Sequence, residues 1–267
     1  MKLINIEAQI KNSNSSLLKS LPRFVINGLA RISYQDEINR ILTKYEDAVG
    51  VFFLPKIIEE LNIHVEVEGL ENLPKSGKCF FVANHPFGIA DGLVLTHIIA
   101  AKYGDFKAIG NDVFVLIPQL QPLIAAVNVF GTNPKEYLQT LDEVFNSEIP
   151  ITHFPAGKVS RIRSWKVRDN KWHKSFVSKS VSCKRDIVPF HFYGRNSNLF
   201  YVVFIIRKVL GIKANLELAL LPHELFNKRN KTIKVKIGKP ISYQTFDKSK
   251  SNQEWTDYVQ NLVYGLK

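Results

Sequence analysis

Residues 80–92 read Phe80-Phe81-Val82-Ala83-Asn84-His85-Pro86-Phe87-Gly88-Ile89-Ala90-Asp91-Gly92. A short apolar run bounded by turn signals predicts a buried strand over Cys79 to Ala83, then a loop, then a helix near residues 91–103. Such a turn exposes His85 and Asp91 beside one another. Histidine has an ordinary pKa near neutrality, and a carboxylate on one ring nitrogen fixes its tautomer and stabilises the imidazolium as it takes a proton. With no serine or cysteine inside the motif, a hydroxyl of the substrate itself would be the nucleophile. By spacing alone three roles stay open for the pair: catalysis, hydrogen bonding within the loop, and metal ligation. Gly88 and Gly92 permit an unusual backbone path or close ligand approach, and Pro86 stiffens the loop after the histidine.

Outward from this stretch the pattern alternates. Ile63 to Glu68, Phe106 to Ile109, Val127 to Phe130, Ile151 to Phe154, Ile187 to Phe192 and Ile233 to Ile237 read as further strands. Helical spacing falls near 134–147 and 171–182. The expected fold class is α/β, a mixed, partly parallel sheet flanked by helices. Residues 14–62 carry three amphipathic stretches, around Leu17 to Ile26, Ile38 to Leu42 and Phe52 to Leu61. Residues 1–62 are therefore an N-terminal helical segment that either caps the core or associates with a membrane, and 63–267 form the α/β domain. In Lys228-Arg229-Asn230-Lys231-Thr232-Ile233-Lys234-Val235-Lys236 the alternation assigns the lysines to the solvent face of a strand.

The 267 residues carry 36 Lys and Arg against 24 Asp and Glu, a formal net charge of +12. That balance suits an anionic partner: a phospholipid surface, nucleic acid or an acidic carrier protein. Cys79 and Cys183 lack metal-knuckle spacing and read as reduced thiols. The start lacks a secretory h-region, and no apolar run reaches the roughly 18 residues of a membrane span, since Pro118 and Pro122 or Arg207 and Lys208 interrupt the best candidates. His97, His153, His173, His191 and His223 are scattered without metal-ligand spacing, so no metal is expected.

Asn84-His85-Pro86-Phe87-Gly88-Ile89-Ala90-Asp91-Gly92 resembles the first block of the lysophospholipid acyltransferase (glycerol-phosphate acyltransferase-like) family. With five residues between His85 and Asp91 it is one longer than the usual block, a form similar to the branch of bacterial aminolipid and hemolysin-like acyltransferases. Phe154-Pro155-Ala156-Gly157-Lys158-Val159-Ser160-Arg161 resembles the third block, Ile187-Val188-Pro189-Phe190 the fourth, and Ile237-Gly238-Lys239-Pro240-Ile241 the closing strand and turn. The resemblance implies an acyltransferase sandwich in which His85 is the general base and Asp91 its orienting partner. Asn84, Gly88, Gly157, Lys158 and Arg161 stand on its substrate side. It further implies transfer of a fatty acyl group to the hydroxyl of a lysolipid. The donor is an acyl carrier protein or coenzyme A thioester, and no cofactor is tightly bound. The setting is the anionic cytoplasmic face of a bacterial inner membrane, where the protein is peripheral.

Departures from the family pattern bear on the acceptor. Val127 to Asn133 lacks the second-block arginine associated with an acceptor phosphate, and Ala156 and Lys158 replace the common Glu and Thr of the third block. The favoured acceptor is a lyso-aminolipid of the ornithine- or glycine-lipid type. A 1-acylglycerol-3-phosphate acyltransferase and a catalytically silent membrane scaffold are the alternatives. Gly157 lets backbone N–H groups approach a ligand, and Lys158 and Arg161 attract a carboxylate or phosphate, or else pair with a neighbouring carboxylate. Trp165 and Trp172, interleaved with Arg163, Lys166, Arg168 and Lys171, read as anchors of an interfacial loop. No RNA-binding signature accompanies them, so no nucleic-acid partner is expected. Pro189 reads as the end of a strand beneath the site.

Overall fold

The computed structural model describes residues 4–12, 19–127, 135–163, 166–212 and 215–266. Its strands are β1 (His64–Glu68), β2 (Cys79–Ala83), β3 (Lys107–Asn111), β4 (Ile124–Val127), β5 (Ile151–His153), β6 (Arg161–Arg163), β7 (Lys166–Arg168), β8 (Asp186–Phe192) and β9 (Thr232–Ile237). Seven of them form one sheet in the order β1-β9-β8-β2-β5-β3-β4, parallel at every pairing except β8 with β9. β6 and β7 make a separate antiparallel hairpin. Helices among the described residues are α1 (Ile6–Asn12), α2 (Arg23–Ile32), α3 (Gln35–Lys44), α4 (Phe53–Glu60), α5 (Ile89–Tyr103), α6 (Lys135–Asn146), α7 (Ser175–Cys183), α8 (Asn198–Val209), α9 (Leu221–Phe226) and α10 (Asn252–Gly265).

β2 is central and explains the layering. All five of its residues are buried, as expected of a parallel strand covered on both faces. Because successive side chains point to opposite faces, Cys79, Phe81 and Ala83 enter one core with Val94, Leu95 and Ile99 of α5. Phe80 and Val82 enter the other with Phe176 of α7 and Val259 and Val263 of α10. Phe80 and Phe81 are both fully buried, each contributing roughly 1.5–3 kcal/mol over an exposed ring. The sheet therefore lies between helices, in the expected α/β class. From the N-terminal segment, Ile41, Leu54 and Leu61 join the first core, so the second and third amphipathic stretches cap it, while residues 17 and 18 of the first lie outside the described residues. Phe24 and Phe52 stay 75% exposed.

Two strand expectations need correction. Pro189 does not end β8, which continues to Phe192. The antiparallel pairing with β9 begins only at Phe190, while Ile187 bridges Ile241. Pro189 sits between these two pairings, where its missing N–H is not demanded, and its carbonyl accepts from Gly238 N–H at 2.8 Å. The strand expected over Val127 to Phe130 lies earlier, at Ile124–Val127, and residues 128–130 fall outside the described residues. Lys234 and Lys236 do line a solvent face, where they meet Glu66 and Glu68 of β1 at 2.8 and 3.4 Å across the register.

Candidate active site

β2 ends at Ala83 and α5 begins at Ile89, so the loop between them carries His85 while Asp91 stands in the first helical turn. Nδ1 of His85 lies 3.0 Å from Oδ1 of Asp91. The approach misses the alignment of a straight hydrogen bond. Asp91 is fully buried, whereas the His85 side chain keeps 17% exposure and so stays reachable by a ligand. The N-terminal end of α5 favours a carboxylate. Backbone N–H groups of Phe87 and Gly92 donate to its two oxygens at 2.8 and 2.9 Å.

Gly88 makes this loop possible. Its φ is +85°, and a Cβ there would lie 2.7 Å from Leu221 Cδ2 and 3.1 Å from Val159 Cγ2. Gly88 is buried against these apolar side chains, so its requirement is conformational and steric. The Lys228 ammonium lies 4.0 Å from the centre of the Phe87 ring. Burial pulls the Lys228 pKa below the ordinary lysine value, against the opposing pull of Glu224 and Asp91. Lys228, read as one of a solvated basic run, is in fact packed on the site loop.

The turn after β5 wraps the other side of His85. The Phe154 ring stacks on the imidazole with centroids 4.1 Å apart, and the N–H of Ser160 donates to the carbonyl of His85 at 2.8 Å. Gly157, at φ +63°, and Lys158 are exposed on this turn. Beneath it lies Asp169, a residue that sequence reasoning did not single out. Its Oδ1 accepts the backbone N–H of His85 at 3.2 Å and the Ser160 hydroxyl, and its Oδ2 accepts the indole N–H of Trp172 at 2.9 Å. Burial raises the Asp169 pKa, and the Ser160 and Trp172 donors oppose that shift. Burial likewise pushes His153, at the end of β5, down to about 3.

Three sequence expectations meet a different geometry. Trp172, read as an interfacial anchor, is 1% exposed and packed in the second core with Phe176, its indole N–H donating to Asp169, and Trp165 lies outside the described residues. Arg161 is buried in an ion pair with Glu217 at 2.9 Å, with Phe200 beneath its guanidinium. It thus takes the carboxylate-pairing alternative rather than facing a headgroup. Asn84, placed on the substrate side by resemblance, is buried. Its amide donates to the carbonyl of Phe192 at 2.9 Å and accepts from the N–H of Phe192 at 2.7 Å, so it clamps the ends of β2 and β8 together. His85 and Asp91 are brought together, with Gly157 and Lys158 on the neighbouring turn. No cluster suited to a metal ion occurs among the described residues.

The Ser160 hydroxyl is buried and donates to Asp169, which removes it as a nucleophile. Cys79 is also buried, its thiol pushed up to about 12 by burial. The site holds a reachable imidazole backed by a buried carboxylate, groups with the chemistry of a general base and its orienting partner.

Comparison with known proteins identifies the family. The model of a family described as "Acyltransferase" matches residues 9–267. A lyso-glycine lipid O-acyltransferase of Bacteroides thetaiotaomicron is 41% identical over 99% of this chain and 97% of its own. Another of that name from Phocaeicola vulgatus is 42% identical over 99% of this chain and 95% of its own. The crystal structure of the 1-acyl-sn-glycerophosphate acyltransferase of Thermotoga maritima superposes with a TM-score of 0.49 at 15% identity, covering 98% of this chain and 85% of that one. That last likeness is too remote to bear on residues or activity. The family match over nearly the whole chain and the two relatives at 41% and 42% identity establish that this protein belongs to the acyltransferase family and is an enzyme that transfers acyl groups.

Proposed function

We propose that the protein O-acylates a lyso-aminolipid of the glycine-lipid type, with His85 as general base and Asp91 as its orienting partner. The observation that carries this reading is the reachable His85 imidazole 3.0 Å from the buried Asp91 carboxylate, in a chain 41% and 42% identical to two lyso-glycine lipid O-acyltransferases. The acceptor hydroxyl gives its proton to the imidazole as its oxygen attacks the thioester carbonyl carbon. The tetrahedral oxyanion is stabilised by nearby N–H groups, and its collapse forms the ester and expels the thiolate, which takes the proton from the imidazolium. Asp91 supports the imidazolium through that sequence.

Lys158, exposed on the turn beside His85, attracts the acceptor's carboxylate. The donor is an acyl carrier protein or coenzyme A thioester, consumed as a substrate. The protein works peripherally at the cytoplasmic face of the bacterial inner membrane, a site that suits its charge of +12. The test is acyl transfer from both labelled thioesters to a panel of lysolipids. Turnover with lyso-glycine lipid is expected, and a preference for lysophosphatidic acid would overturn the acceptor assignment.

A further inference from the structure

α8 has two unlike faces. Phe200, Tyr201 and Phe204 turn inward and are buried, while Leu199, Val202, Ile205, Ile206, Val209 and Leu210 are 41%, 48%, 45%, 52%, 80% and 66% exposed. At 100° per residue these six fall within an arc of roughly 140°, a continuous apolar stripe on the outside of the protein. Scattered exposed apolar residues are ordinary, but a contiguous stripe marks an interaction surface.

The surroundings of the stripe are basic. α8 contains no acidic residue and carries an exposed Lys208 in its last turn. Ile162 of β6 and Val167 of β7 pack on the same cluster as Phe200 and Tyr201, which sets the hairpin beside α8 with Arg163, Lys166 and Arg168 exposed. The neighbouring carboxylates Glu217 and Glu224 are buried. Glu217 pairs with Arg161 at 2.9 Å and with Arg207 at 2.8 Å, fixing α8 to the turn that flanks His85. An apolar stripe rimmed by cations suits an anionic bilayer interface, with the side chains among the acyl chains and the cations among headgroups.

The geometry points to α8 as an interfacial helix that docks the protein on an anionic lipid surface. It does so beside the catalytic loop, since Val159 and Leu221, packed with α8's inner face, also back Gly88. Docking there presents His85 to a lipid acceptor that stays in the membrane. No described helix is long and apolar enough to cross a membrane, and α8 needs only to lie in the interface. This inference rests on the reading that the enzyme works at a membrane surface and names the surface that does so.

The test is co-sedimentation of the full chain with vesicles of phosphatidylglycerol and phosphatidylcholine, compared with phosphatidylcholine alone. The wild type is expected to bind the anionic vesicles and to release as salt is raised. The Ile206→Glu/Val209→Glu variant should lose about tenfold or more of that partition while keeping the thermal midpoint. Independently, Val209→Trp removes no apolar surface, and its emission should shift to the blue on adding anionic vesicles. A wild type that ignores the vesicles, a double variant that binds as well as wild type, or an unshifted Trp emission would each overturn the inference. His85→Ala separates it from the catalytic reading: that variant is expected to bind vesicles normally while its acyl transfer falls by about 10²- to 10⁴-fold. Transfer retained by His85→Ala would sink the catalytic reading, while the vesicle results still decide the role of α8.

Discussion

Oδ1 of Asp169 accepts the backbone N–H of His85 at 3.2 Å, so the residue that bears the imidazole is held from beneath by a buried carboxylate 84 positions away in the chain. The same carboxylate takes the Ser160 hydroxyl and the Trp172 indole N–H, tying the loop after β2 to the turn after β5.

Replacing Asp169 by Asn keeps the shape but turns one acceptor into a donor, which faces either the indole or the His85 and Ser160 donors. A buried polar group left unpaired costs about 1–3 kcal/mol. Asp169→Asn is expected to lower the thermal midpoint accordingly and to reduce kcat, because His85 loses its backbone anchor. Unchanged stability would mean that Asp169 does not hold the site.

Ser160 stands close to His85, and its hydroxyl invites the reading of an acyl-enzyme nucleophile. Its hydroxyl donates a hydrogen bond to Asp169, and the proposed mechanism attacks directly with the acceptor hydroxyl. Ser160→Ala should therefore cost only about one hydrogen bond, near 1 kcal/mol, and retain transfer within roughly tenfold, the equivalent of about 1.4 kcal/mol in barrier. An acyl adduct on Ser160 trapped by mass spectrometry would contradict this.

Gly88→Ala combines a φ of +85° with a Cβ 2.7 Å from Leu221 Cδ2. Strain of this kind costs on the order of 1–3 kcal/mol, and relief requires the loop to move. The variant is expected to lose both stability and acyl transfer. Adding Leu221→Ala should relieve the steric part but not the backbone part, as thermal unfolding of the single and double variants would read.

Acid should weaken the packing of α3 and α4 on the body. Hydrogen bonds from Arg40 and then Arg229 hold the Glu37 carboxyl down at about 2, and those from Lys44, Arg40 and Tyr45 do the same for Glu60. A carboxyl with a depressed folded pKa stabilises above its ordinary value of 4.5, and that stabilisation is lost as pH falls toward about 2. Asp169 acts oppositely, since its raised pKa relieves the cost of burial as pH falls. Thermal midpoints should drop between pH 4.5 and 2, and Glu60→Gln should flatten that slope.

The α/β class and the His85–Asp91 pair were legible because their signals are local: a buried strand, a turn and a helix start within thirteen residues, 80–92. Asp169 was not, because an aspartate in a basic stretch reads as surface charge until the fold brings it under His85. Arg161 was visible as a cation, but its partner Glu217 is 56 residues away, and distance along the chain hides such pairs. α8 was hidden for a related reason. Arg207 interrupts its apolar run, and only the fold reveals that Glu217 neutralises this arginine while the opposite face stays exposed.

The central claim is that His85 takes the proton from the acceptor hydroxyl. Its most direct test is kcat/KM for acyl transfer to lyso-glycine lipid by His85→Ala against wild type, at matched thermal stability. The account predicts a loss of about 10²- to 10⁴-fold, the usual worth of a positioned general base. A variant that stayed within tenfold of wild type would contradict it.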